Sequence, residues 1–134
     1  MMKTPSDFLN KIIAVDIYNT EVMLHFGSIK SLKKVLKKYQ QEKFAQEISV
    51  NLKEPVLGQT YFNEKYGTIL IYMPEIPSTS EQYATLTHEL LHATNFVLKK
   101  VGVLFCDESE EAFAYLLGFL TKRTFEIISS YQSL

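Results

Sequence analysis

Two histidines four residues apart flank a glutamate in the stretch Thr87-His88-Glu89-Leu90-Leu91-His92. On a helix, residues at that interval lie one above the other on the same side. Two imidazoles so placed can converge on one ion, as two corners of a tetrahedral zinc site require. Glu89 stands about a hundred degrees round the axis from His88. From that flank it can reach a water on the metal without ligating the metal itself. The chemistry this suggests is hydrolysis, with a zinc-activated water and Glu89 as general base. The competing reading is a chance match, two solvated histidines on an amphipathic helix.

A zinc hydrolase needs a third protein ligand and one open position. Eighteen residues separate His92 from Glu111, which opens the next helical stretch, Ser109-Glu110-Glu111-Ala112-Phe113-Ala114. Glu111 shares a helix face with Ala114, Tyr115 and Gly118. Small residues there would let the face approach the histidine helix and bring a carboxylate to the pair. The competing reading is an acid favoured at a helix N-terminus, which accounts for the run of acids from Asp107 to Glu111. Glu110 is expected to pair with Asp107 in a capping box, which leaves Glu111 as the candidate ligand. Tyr115, one turn on, could hydrogen-bond His88 or donate to an oxyanion, or could be a core aromatic.

His88-Glu89-Leu90-Leu91-His92 followed by Glu111-Ala112-Phe113-Ala114 resembles the gluzincin branch of the zincin metallopeptidases, the aminopeptidase-type members in particular. The chain as a whole is similar to small zincin-like proteins encoded by phages and prophages, and to minimal gluzincins. The motif match spans residues 88–115. The resemblance implies a Zn2+ ion held by His88, His92 and Glu111, with Glu89 as the general base and a peptide or protein as substrate. It also implies that Thr68 to Met73 is the edge strand above the cleft, where an extended peptide adds by strand pairing. The family's downstream oxyanion-stabilising residue has no clear counterpart, and Tyr115 is the candidate for that role.

Two functions follow. One is a zinc-dependent peptidase. The other is a zincin-like binding module of phage or mobile-element origin, catalytically weak or inactive. Glu89 favours the first, because a purely structural zinc site has no use for a glutamate that does not ligate and needs a fourth protein ligand.

The elements that must position these residues follow from local patterning. Ile12 to Tyr18 and Val22 to Phe26 read as a hairpin turning at Asn19-Thr20. Ser28 to Ile48 reads as a helix with an apolar stripe of Ile29, Leu32, Val35, Leu36 and Tyr39. Thr60 to Phe62 and Thr68 to Met73 read as a second hairpin, ended by Pro74 and Pro77. A helix is expected from about Ser80 to Lys100, opened by a Ser78/Glu81 capping box and stopped by Gly102. Tyr83, Leu86, Leu90, Ala93 and Val97 make its core stripe, so His88 and His92 point to the other side. Asp107 to Ser130 reads as the last helix. The order β-β-α-β-β-α-α predicts an α+β fold. On the zincin resemblance this is a small, mostly antiparallel sheet with a backing helix, the His88/His92 helix and a C-terminal glutamate-bearing helix.

With 134 residues, 46% hydrophobic and 22% charged, the chain suits one domain, residues 1–134. A formal net charge of −1 gives no global attraction to nucleic acid or anionic membranes, and neither is expected as a partner. The stripe of Lys30, Lys33, Lys34, Lys37 and Lys38 reads as a solvated face. No apolar run reaches the roughly 20 residues of a membrane span and no secretory signal is evident, so a cytoplasmic location is expected. His25 reads as a surface or hydrogen-bonded histidine, and the lone Cys106 as a small buried hydrophobe. The sequence carries no signal for oligomeric state.

Overall fold

The computed structural model describes residues 8–39, 57–63 and 67–133. Four strands, β1 (Leu9–Val15), β2 (Thr20–Phe26), β3 (Gln59–Asn63) and β4 (Thr68–Met73), form one sheet in the order β1-β2-β4-β3. Helix α1 (Ile29–Lys38) covers one face, while α2 (Ser80–Lys100) and α3 (Glu110–Gln132) share the other. The α+β order is the expected one. The pairing is mixed: β1 with β2 and β3 with β4 are antiparallel, but β2 and β4 run parallel.

That parallel pairing moves the edge of the sheet. Thr68–Met73, expected at the edge, lies inside, between β2 and β3. The reason is legible in its side chains. Ile69, Leu70, Ile71, Tyr72 and Met73 are all buried, the unbroken apolar run of a strand covered on both faces. Among the described residues the edge on this side is β3. Its Thr60 and Phe62 point toward α2, and Tyr61 packs against the cluster that Leu32, Val35 and Leu36 of α1 form with Met23, Leu70 and Tyr72 of the sheet.

Local chemistry sets the ends of the elements. β1 stops at Val15 rather than Tyr18, because Asp16–Tyr18 coil into a 3-10 turn. Asn19 then takes a left-handed φ of 51°, which its short polar side chain tolerates. Ser28 caps α1 by accepting from the Ser31 amide at 3.1 Å. The part of the expected helix beyond Tyr39 lies outside the described residues.

Helix α2 has the expected span. Its capping box is one residue later than the sequence suggested. Thr79 Oγ1 accepts from the Gln82 amide at 3.1 Å, and Gln82 Oε1 accepts from the Thr79 amide at 3.2 Å. At the other end Gly102, at φ 81°, donates to Lys99 O at 3.0 Å, and Val103 donates to Leu98 O at 2.9 Å. This double bond satisfies the last carbonyls and turns the chain back on itself.

The Asp107/Glu110 box does not form. Asp107–Ser109 make a 3-10 turn, and the Ser109 hydroxyl accepts from the Cys106 amide at 3.0 Å. Cys106 is exposed there, not buried, since it heads a turn outside the core. Phe113, Leu116, Leu120 and Ile128 of α3 enter the core alongside Leu86, Leu90, Ala93 and Val97 of α2. Helix α3 packs over β1, and α2 packs over β4 and β3. The two helices therefore lie side by side, with α2 nearer the β3 edge.

Candidate metal and base site

His88 and His92 are both exposed, on the side of α2 away from its buried stripe. Their rings converge. Nε2 of one lies 3.1 Å from Nε2 of the other, with ring planes at 70°. At that distance one imidazole donates and the other accepts. Two zinc–nitrogen bonds of about 2.0–2.1 Å meeting at the tetrahedral angle span about 3.3–3.4 Å. The pair therefore already stands close to the separation that a shared zinc ion requires. The site forms because residues four apart on an uninterrupted helix superpose, and α2 has no glycine or proline between Ser80 and Lys100.

Glu89 takes the third direction. Its residue is only 6% exposed. A carboxylate so placed is costly unless something donates to it. Thr60 of β3 does so: its hydroxyl donates to Glu89 Oε1 at 2.8 Å and stands 3.1 Å from the Glu89 carbonyl oxygen. The other carboxylate oxygen, Oε2, lies 3.9 Å from His88 Nε2. The close approach of strand and helix depends on Gly58. A Cβ at that position would sit 2.8 Å from Thr85 Cγ2 and 3.4 Å from Glu89 Cγ. Farther along, Phe62 stacks on Phe96 at 5.2 Å. The β3 edge thus runs along the Thr85–Glu89–Phe96 face of α2, and the histidines flank it toward solvent.

The structure does not bring Glu111 to the histidines. Tyr83 of α2 meets Phe125 of α3 edge-on at 5.6 Å, which marks the side of α2 that faces α3. At 100° per residue, His88 and His92 lie about 140° and 180° round the axis from Tyr83. They face away from α3. The small-residue face carrying Glu111, Ala114, Tyr115 and Gly118 is exposed, because the bulky Phe113, Leu116 and Leu120 take the core. Among the described residues no three His, Cys, Asp or Glu side chains stand close enough to hold a metal ion. Tyr115 is 77% exposed. It lines a mostly apolar groove of about 540 Å3 with Ile17, Tyr18 and Phe119, at the β1 edge of the sheet. That is the edge opposite β3, so Tyr115 touches neither the histidine pair nor Glu89.

The chain matches no protein-family model, and no curated protein or solved structure is significantly similar to it.

His25 belongs to a separate, buried network. Asn10 Nδ2 donates to its Nδ1 at 2.9 Å, so its Nε2 carries the proton and donates to Ser31 Oγ at 2.8 Å. Ser31 in turn donates to the Ser28 carbonyl at 2.7 Å. The ring stacks between Phe8 and Tyr72. Burial lowers its pKa from 6.5 to about 4. It is a hydrogen-bonded core histidine that ties β1 and β2 to the start of α1. Thr60 and Gly58 are the site residues that sequence reasoning missed. Thr60 carried a partial signal, because it alternates with Phe62 on one side of a strand, whereas nothing in the spacing connects that strand to Glu89.

Proposed function

We propose that the chain is a zinc-dependent peptidase on a zincin-like scaffold, hydrolysing peptide bonds with Glu89 as general base. The observation that carries this reading is one cluster: two convergent histidines and a buried glutamate aimed beside them, on the helix next to an edge strand. His88 and His92 would supply two of the zinc ligands, and among the described residues no third His, Cys, Asp or Glu stands beside them. Zinc bound there would supply a Lewis acid and lower the pKa of a bound water toward about 7.

Glu89 is suited to take a proton and deliver it to the leaving amine. Its Oε2 faces the histidines while Oε1 is held by Thr60. Strand β3 has β4 as its one strand partner among the described residues.

A second reading, a zincin-like binding module without catalysis, is favoured by the placement of Glu111 on an exposed face away from the pair. One experiment separates them. Zinc-reconstituted protein is incubated with a mixed peptide library, with and without chelator, beside Glu89→Gln. The peptidase reading expects chelator-sensitive cleavage that falls about 10²-fold or more in Glu89→Gln, at unchanged zinc content. No chelator-sensitive cleavage by the wild type would favour the binding module.

A further inference from the structure

We infer that Thr60 is a positioning residue that fixes which oxygen of Glu89 faces the histidines, and this rests on the reading of Glu89 as the base. The Thr60 hydroxyl has one proton and two acceptors in reach, the carboxylate Oε1 at 2.8 Å and the Glu89 carbonyl at 3.1 Å. The carboxylate bond is the shorter and is charge-assisted, so it is the stronger. It holds Oε1 against β3 and leaves Oε2 on the side of His88, at 3.9 Å from Nε2. A glutamate has three side-chain torsions, and without an anchor the carboxylate would visit several staggered positions.

The anchor itself is rigid for three reasons. Thr60 is branched at Cβ, which restricts its χ1. Its strand is held by β4, with Thr60 opposite Ile71. Two residues on, Phe62 stacks on Phe96 of the same helix, so register cannot slip without losing that contact. The strand that packs along α2 thus also aims the base. Orientation of this kind is worth much in catalysis: a displacement of about 1 Å costs on the order of 10²-fold in rate.

The test uses the full chain, with and without Zn2+ alone, as wild type, Thr60→Val and Thr60→Ser. Valine keeps the shape and removes the donor, while serine keeps the donor. The first readout is the 13Cδ resonance of Glu89 at fixed pH in glutamate-labelled protein, assigned with Glu89→Gln. It is expected to move in Thr60→Val and to stay at the wild-type position in Thr60→Ser. The second readout is chelator-sensitive peptide cleavage. There kcat is expected to fall roughly 10- to 100-fold in Thr60→Val, with KM unchanged and activity restored by serine. An unmoved resonance in Thr60→Val, or an equal displacement in both variants, overturns the inference. Absence of cleavage by the wild type overturns the peptidase reading alone, since the resonance still decides what Thr60 does. Should Thr60→Val not fold, Thr60→Ala carries the same comparison.

Discussion

Acid should destabilise this protein through one buried ring. His25 is fully enclosed, accepts from Asn10 and donates to Ser31, and carries no proton to spare. Its pKa is about 4 in the folded chain against 6.5 when free. Between those values the unfolded chain binds one more proton than the folded one, so stability falls as pH falls. The contribution is fully present above pH 6.5 and is lost on descent toward pH 4, the direction required for a depressed pKa. At about 1.4 kcal/mol per pH unit, the loss over the whole window is roughly 3 kcal/mol. A domain of this size has about 5–15 kcal/mol in total, so the effect should be plain. The assay is urea unfolding at pH 7.0, 6.0, 5.0 and 4.5 for wild type and His25→Gln. The variant removes the titration while retaining hydrogen-bonding groups, and every other ionisable group is common to both chains. The variant should be less stable at pH 7, and the gap should close by about 2–3 kcal/mol by pH 4.5. A gap that stays constant across the series would show that His25 is not the group whose protonation unfolds the chain.

Two further outcomes follow from the packing around the site and core. Gly58→Ala should destabilise by about 1–3 kcal/mol, since its Cβ would meet Thr85 Cγ2 at 2.8 Å and press β3 away from α2, as chemical unfolding would show. Thr124→Val should stabilise by about 1 kcal/mol. The Thr124 hydroxyl is buried on α3 without a hydrogen-bond partner among the described residues, and calorimetry of the two chains checks the sign.

Much of the scaffold was legible in the sequence because it is set locally. The period of Leu86, Leu90, Ala93 and Val97 specified α2 and, by elimination, the exposed direction of His88 and His92. Gly102 marked the end of that helix because only a left-handed residue completes the double hydrogen bond there. The capping box lay one residue off because Ser78/Glu81 and Thr79/Gln82 both satisfy its pattern, and the chain forms the second.

What was not legible is set across the sheet. Whether Thr68–Met73 lies at the edge depends on the parallel pairing of β2 with β4, which no local pattern encodes. Glu111 was placed by its spacing from His92 and by the small-residue face it shares with Ala114 and Gly118. Neither says on which side of α2 the next helix packs, and α3 lies over β1 while the histidines flank β3. The Thr60–Glu89 bond was hidden for the same reason, since it joins residues 29 apart across a strand–helix contact.

On the proposed reading, His88 and His92 form a metal-binding pair whose competence does not depend on α3. Zinc titration of the purified chain by calorimetry, repeated with His92→Ala and Glu111→Ala, tests it most directly. One zinc per chain is expected, with binding strongly weakened in His92→Ala and wild-type affinity in Glu111→Ala. Full affinity retained in His92→Ala would contradict it.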